Sequence, residues 1–425
     1  MNDVELGFAF LLNQSAASLL AVFWYTVIFE APRYLLPFLA VAVTHRTASV
    51  EPVPDTSESI RGLRVSIILI GHNEEGALEA CVRSLREQSV PIFEIVVVSD
   101  GSTDGMAKVA ARLVREGWID QVLTTDLRGG KSSGINLAWH AAKGDIVINV
   151  DCDCSFDRYA IEFLVQPFID PRVGVTCGDI APRNAPVSLI AQFQEIEYLQ
   201  SISVGKRIAN AADQVVCASG AFGAFRREAL RSVNGFDVGG GEDLDVTLRL
   251  RKAGWTCAFA PESLCYTDVP TTAFQYIRQR LRWERDAIWI RYRKHAGLMS
   301  PFRPDFRFAE AFHQWDFLLF SVVGAVVFPV YLIWLAVSFG SFTPAILIAM
   351  QIGLLGIDVV LLAISAWTTR RPVFWRNLPY LPGYSLFMTY VMRPVRLWAY
   401  VEELCFSGSH RDNYTPIKVR LERPW

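Results

Sequence analysis

Three clusters of acidic, basic and aromatic residues lie far apart in this chain, and each has the make-up of a reaction site. Asp151-Cys152-Asp153 sets two carboxylates one residue apart, directly after a hydrophobic run. Hard divalent cations such as Mg2+ or Mn2+ take carboxylate oxygens together with the phosphate oxygens of a substrate. An ion held there can neutralise charge developing on a departing nucleoside diphosphate. Two aspartates at this spacing also fit a solvated loop, so the spacing alone does not decide.

The second cluster, Gly239-Gly240-Gly241-Glu242-Asp243, joins a flexible glycine run to an acidic pair, and residues 244–251 read as helix. Acidic residues are favoured at a helix start by the dipole. A carboxylate carried to an acceptor hydroxyl by a mobile loop can also act as a general base, and both readings hold together. The third cluster, Gln279-Arg280-Leu281-Arg282-Trp283, lies in the basic, aromatic segment 278–294. Such a segment reads as an interfacial helix with snorkelling arginines. Arg282 also offers a partner for phosphate, and Trp283 a face for a sugar ring.

Between about 62 and 270 the chain has the elements to hold these clusters. Strands are expected at 65–70, 93–99 and 145–150, with a weaker one near 119–124, and helices at 75–88, 103–116 and 131–142. Alternation of continuous apolar strands with amphipathic helices predicts an α/β domain, a mostly parallel sheet covered on both faces. Ligands bind at the carboxyl ends of such strands. Asp100 and Asp151 are each expected one residue past a strand end, converging on that crevice. The first turn, Gly71-His72-Asn73-Glu74-Glu75-Gly76, lacks the dinucleotide fingerprint, and the chain has no GxxxxGK[ST] phosphate loop.

The chain has 425 residues, 52% hydrophobic and 20% charged, a balance that predicts a membrane protein with a soluble part. The 41 basic and 43 acidic residues give a net charge of −2, which offers no basic face for nucleic acid. The eight cysteines are scattered without a paired CxxC and read as reduced thiols.

Residues 7–29 run for 23 residues without a charge, enough to cross a bilayer core of about 30 Å. Asp3 and Glu5 precede them, and Arg33, His45, Arg46, Arg61 and Arg64 follow. The positive-inside rule therefore puts the next domain on the cytoplasmic side. Residues 34–43 are apolar but short, and are expected at the interface or as the second arm of a hairpin. Residues 317–340 and 342–368 are expected to form a membrane hairpin returning at Arg370, Arg371 and Arg376. Residues 378–404 carry Pro382, Arg393, Pro394 and Arg396, and read either as a span lining a polar path or as an interfacial element. The predicted organisation is an N-terminal membrane segment (1–45), the α/β domain (62–270), amphipathic interfacial helices (271–314), a C-terminal membrane region (315–405) and a basic tail (406–425).

The order Asp100, Asp-x-Asp at 151–153, Glu242-Asp243 and Gln-x-x-Arg-Trp at 279–283 resembles the membrane-bound family 2 glycosyltransferases. These include the synthases of cellulose, hyaluronan, chitin and poly-N-acetylglucosamine. The match extends over roughly 62–300 and includes Asn73-Glu74, Asp100-Gly101-Ser102-Thr103-Asp104, Gly130-Lys131 and the run Ala218 to Arg226, which looks like the family's acceptor-site loop around Gly220. The resemblance implies a GT-A-like sheet flanked by transmembrane and interfacial helices. It implies that Asn73, Glu74, Asp100 and Lys131 bind the nucleoside, and that Asp151 and Asp153 engage the diphosphate through Mg2+ or Mn2+. Asp243, with Glu242, would supply the base, and Gly220, Gln279, Arg282 and Trp283 would serve the acceptor and pyrophosphate. The sequence departs from the family at Gly241, where relatives carry threonine, and at Gly71-His72, where they often carry proline or alanine.

The activity so implied is inverting transfer of a sugar from UDP-glucose or UDP-N-acetylglucosamine to a growing β-linked polysaccharide. It would take place at the cytoplasmic face of a bacterial inner membrane, in a multi-pass protein among membrane lipids, with accessory proteins for export as candidate partners. The alternative within the same chemistry is addition of one sugar to a lipid acceptor, as in ceramide glucosyltransferases. A membrane subunit that binds nucleotide or polymer without catalysis is disfavoured, since every expected acidic residue is present.

Overall fold

The computed structural model describes residues 2–47, 62–237, 239–304 and 306–411. Within the α/β domain, eight strands form one mixed sheet. They are β1 (Val65–Gly71), β2 (Glu94–Asp100), β3 (Gln121–Thr125), β4 (Ile146–Asp151), β5 (Ser155–Phe156), β6 (Val173–Pro182), β7 (Phe222–Arg226) and β8 (Thr256–Thr267), in the order β3-β2-β1-β4-β7-β6-β8-β5. The pairs β1–β2, β1–β4, β2–β3 and β6–β8 are parallel, whereas β7 runs antiparallel to β4 and β6, and β5 to β8. The four strands expected from sequence are all present. Asp100 and Asp151 are the last residues of β2 and β4, not the residues after them.

Alternation along the strands buries both faces. Ile67, Leu69, Ile95, Val97 and Ile148 pack under α1 (Leu78–Arg86) and α2 (Met106–Arg115). Ile68, Val96, Val98 and Val147 pack under α3 (Lys131–Ala141). Burial on both sides explains why these strands read as unbroken apolar runs. Three further helices complete the frame around the crevice: α4 (Leu189–Tyr198), α5 (Glu242–Lys252) and α6 (Ala273–Trp289).

Outside the domain the 7–29 stretch is not one helix. A helix over Asp3–Asn13 stops at Gln14, whose backbone is extended, and Ser15 starts the next by accepting the Ser18 N–H at 3.2 Å. The polar run Asn13-Gln14-Ser15 thus supplies a serine cap where the continuous-helix reading saw only an absence of charge. From Ala16 to Thr47 the chain is then helical almost throughout, so 34–43 continues this element and is not a separate stretch. Among the described residues two helical runs are long and apolar enough to cross a membrane, Thr26–Thr44 and the bent run Phe308–Thr369, which turns at 340–342.

Residues 378–406 are helical and end in α7 (Arg393–Phe406), which packs along α6. Arg396 meets Glu284 of α6 at 3.1 Å, and Arg393 meets Glu30 at 2.8 Å. Arginines inside this apolar segment thus have carboxylate partners on neighbouring helices. Most of the expected basic tail, with Lys418, Arg420 and Arg423, lies outside the described residues, as does Arg61.

Candidate active site

The crevice opens where β1, β2 and β4 end side by side. After β1, Asn73 adopts a left-handed backbone (φ 62) and its Oδ1 accepts the N–H groups of Thr103 (2.8 Å) and Asp104 (3.3 Å). It thereby ties the loop after β1 to the loop after β2. Asp100 is buried: Oδ1 accepts the Gly129 N–H and Oδ2 the Gly130 N–H, both at 2.7 Å. Its carboxylate shapes the turn immediately before Lys131. Glu74 is half-buried, and its carboxyl is held above the usual range by burial first, then by the negative charges of Asp153, Asp151 and Asp104. It therefore lies within the electrostatic reach of the Asp-x-Asp.

Lys131, the first residue of α3, reaches Asp151 Oδ1 at 2.6 Å and Glu242 Oε1 at 3.7 Å. Asp151 thus has an internal counter-ion. Asp153 does not: the Thr267 hydroxyl donates to its Oδ2 at 3.3 Å, and no cationic side chain among the described residues pairs with its carboxylate. Burial, and then the charge of Asp151, push its carboxyl above the usual range. Arg183 fixes the loop by donating to the Asp153 carbonyl at 3.0 Å while pairing with Asp268. Among the described residues no group of three or more His, Cys, Asp or Glu side chains could hold a metal by itself. The uncompensated Asp153 beside Asp151 instead fits a divalent ion that completes its shell with phosphate and water oxygens, the usual habit of Mg2+. Cys152 between them is buried, and burial pushes its thiol well above the usual range, leaving it inert as a ligand or nucleophile.

The acidic pair arrives from α5. Gly241, the residue before the helix, has φ 68, and a Cβ there would lie 2.5 Å from Ile290 Cδ1. Glycine is favoured at this position by both conformation and packing, which accounts for the departure from the threonine that the family resemblance implies. Asp243 Oδ2 accepts the Gly220 N–H at 3.0 Å, and Oδ1 accepts the Leu244 N–H at 2.8 Å. Gly220 is held in turn by Asn149, whose amide donates to its carbonyl at 2.6 Å. Thr247 closes the clamp, taking the Ala218 N–H at 3.0 Å and donating to the Asp243 carbonyl at 2.6 Å. A Cβ on Gly220 would sit 3.2 Å from Glu242 Oε1, 3.3 Å from Lys131 Nζ and 3.5 Å from Asp243 Oδ2. Three charged groups from two helices, α3 and α5, therefore meet over one glycine. Glu242 is buried, which raises its carboxyl, while Lys131 draws it down and Asp243 pushes it up.

The third cluster is carried by α6. Asp286, one turn beyond Trp283, and Ile290 pack against Gly240 and Gly241, so this helix abuts the loop that delivers Asp243. Gln279 and Arg282 are half-buried and Trp283 is 40% exposed. Between them Arg280 turns inward to Glu197 of α4, at 2.5 Å, donates to Gln279 Oε1 at 2.9 Å, and lies 4.2 Å from the Trp283 ring centroid. Sequence reasoning singled out neither Glu197 nor Asn149. An acidic residue inside a helix and an asparagine inside a strand carry no local signal of their long-range partners, although a lone polar residue in the apolar run 146–150 is the kind of exception that marks one.

Residues 66–233 match the model of the glycosyl transferase family 2. An N-acetylglucosaminyltransferase from Rhizobium meliloti is 28% identical over 59% of this chain and 60% of that protein. A poly-beta-1,6-N-acetyl-D-glucosamine synthase from Staphylococcus epidermidis is 25% identical over 67% of this chain and 66% of that protein. The chain thus spans less than two thirds of the length of these relatives. Among solved structures, a mannosyltransferase from Pyrobaculum calidifontis in complex with GDP-Man and Mn2+ shares the fold, with a TM-score of 0.57 and 21% identity, covering 91% of this chain and 99% of that one.

Proposed function

We propose that this chain, whose residues 66–233 are a family 2 glycosyltransferase domain, transfers N-acetylglucosamine from UDP-N-acetylglucosamine to a growing β-linked polysaccharide at a membrane surface. The observation that carries the reading is the meeting of Asp151, Lys131, Glu242 and Asp243 around Gly220. The sugar is chosen from the relatives, whose names specify N-acetylglucosamine. The long apolar runs Thr26–Thr44 and Phe308–Thr369 support a membrane setting, with the domain on the cytoplasmic face where nucleotide sugars are made.

In this mechanism Asp243 accepts the proton of the acceptor hydroxyl as that oxygen attacks the anomeric carbon. The bond to the diphosphate breaks on the opposite side, so configuration inverts and no covalent enzyme intermediate forms. Its two backbone N–H donors, from Gly220 and Leu244, fix the carboxylate's direction before the acceptor arrives. Asp153 with Asp151 would hold Mg2+ or Mn2+, which when bound supplies positive charge to the leaving diphosphate. Lys131 adds a fixed ammonium on the same side. Trp283, exposed on α6, would offer a stacking face for sugar.

The test is direct. Purified protein in lipid is incubated with UDP-N-acetylglucosamine, UDP-glucose and GDP-mannose, with Mn2+ or Mg2+, and nucleotide release and product size are followed. Release from UDP-N-acetylglucosamine with a polymeric product supports the reading. A single lipid-linked sugar would return the lipid-acceptor alternative, and release from GDP-mannose alone would overturn the donor. Asp243→Asn is expected to lower kcat by about 10²- to 10⁴-fold while donor binding is kept.

A further inference from the structure

The peptide that orients Asp243 is gripped from behind by a residue outside every recognised motif. Lys206 lies on the helical run that continues α4 through residue 211. Its ammonium donates to the Ser219 hydroxyl and lies 3.7 Å from Cys177 Sγ. Ser219 sits between the two residues that hold the acidic pair, Ala218 through Thr247 and Gly220 through its N–H to Asp243 Oδ2. Lys131 Nζ approaches the same glycine from the crevice side. The loop is thus pinned between two ammonium groups, only one of which faces substrate.

We propose that Lys206 is a positioning residue for transfer: by fixing Ser219 it sets the direction of the Gly220 N–H, and through it the direction of the Asp243 carboxylate. A backbone N–H can aim a carboxylate only if its own peptide plane cannot rotate. The Phe222 N–H restrains that plane by donating to the Ser219 carbonyl at 3.1 Å, Asn149 holds the following plane through the Gly220 carbonyl, and Lys206 holds the Ser219 side chain. Without Lys206 the Ser219 side chain has no charged anchor among the described residues, and the Phe222 N–H is left to hold the Ser219–Gly220 peptide. Burial works against the Lys206 charge, yet its neighbours Cys177 and Cys217, and then the Asp243 and Asp179 carboxylates, more than offset this and hold its ammonium above the usual range.

The inference rests on Asp243 acting as the base, and the experiment separates the two. Lys206→Met, Lys206→Arg, Ser219→Ala and Asp243→Asn are compared with the intact chain in lipid, following UDP release from UDP-N-acetylglucosamine. Lys206→Met is expected to lower kcat about tenfold with KM for the donor within about twofold, since misorientation of a reacting group costs rate and not donor affinity. Lys206→Arg should recover most of the rate, because it keeps a cationic donor. Ser219→Ala, which removes the acceptor without touching the charge, should reproduce part of the loss in a protein of unchanged melting temperature. If Asp243→Asn abolishes transfer while Lys206→Met and Ser219→Ala keep wild-type kcat, the positioning role is overturned and the base assignment stands. If Asp243→Asn keeps its rate, the base assignment itself fails. A Lys206→Met loss that falls equally on donor binding, with no rescue by arginine, also overturns the role.

Discussion

The Lys131 ammonium stands 2.6 Å from Asp151 Oδ1, and the next carboxylate of the motif, Asp153, has no such partner among the described residues. The two aspartates of one Asp-x-Asp are therefore electrostatically unequal. Asp151 is compensated within the fold and shares its cation with Glu242 at 3.7 Å, whereas Asp153 is left to an incoming ion. Under the proposed function this asymmetry would tie donor binding to the acidic pair, because one lysine touches both Asp151 and Glu242.

Removing that lysine should be felt first in donor affinity. Lys131→Gln leaves Asp151 and the buried Glu242 facing each other without a cation, and takes a positive charge from the diphosphate side. A hydrogen bond to a charged group contributes about 1.5–3 kcal/mol, so UDP-sugar binding should weaken roughly tenfold to a hundredfold. Titration calorimetry with UDP checks this; unchanged affinity would mean that Lys131 serves only the apo fold.

Metal binding should respond to pH from the Asp153 side. Its carboxyl is raised by burial and by Asp151, as is that of Glu74 by burial and the same acidic neighbours. A raised folded value means that the folded chain takes up these protons more readily than an unfolded chain does. Stability withheld by the charged groups at neutral pH is therefore regained as pH falls, while a cation competing for Asp153 loses ground. Mn2+ affinity should decline on acidification at a pH above the range of about 4 where ordinary carboxylates titrate. Electron paramagnetic resonance titrations of Mn2+ between about pH 7 and about pH 4.5 read the effect.

Placing at position 241 the threonine that the family resemblance implies should harm this chain. Gly241→Thr forces a β-branched residue to φ 68 and drives its Cβ toward Ile290. The left-handed conformation alone costs about 1–2 kcal/mol. Thermal unfolding should shift down, and kcat should fall with it because Glu242 and Asp243 begin at the next residue. A stable, active Gly241→Thr protein would show that the loop adopts another path.

Arg280 should matter more to stability than its exposed neighbour Trp283. Its side chain and that of Glu197 are 5% and 13% exposed, and the carboxylate also accepts the Tyr276 hydroxyl at 3.0 Å. Breaking a buried pair by removing one partner costs about 3–5 kcal/mol, so Arg280→Ala should lower the melting temperature sharply. Arg280→Lys should recover little of it, since Glu197 receives two nitrogens of the planar guanidinium.

Much of this was written locally. The apolar runs at 65–70, 93–99 and 145–150 could only be strands buried on both faces, and the acidic residues at their ends could only lie along one edge of the sheet. Asp-x-Asp, Glu242-Asp243 and Gln-x-x-Arg-Trp were legible as three separate clusters because residue type and spacing are local properties. Their meeting was not. That Lys131 joins Asp151 to Glu242, that Gly220 aims at Asp243, and that Arg280 turns inward to Glu197 depend on contacts between residues distant in sequence. The 7–29 stretch failed as a single helix for the opposite reason. An absence of charge does not make a helix continuous: the extended backbone at Gln14 ends the first helix and the Ser15 cap opens the next. Sequence determined which side chains could do the chemistry and which strands would carry them. Only the tertiary structure decided which carboxylate has a cation and which is left open, because a charge is compensated across space and not along the chain.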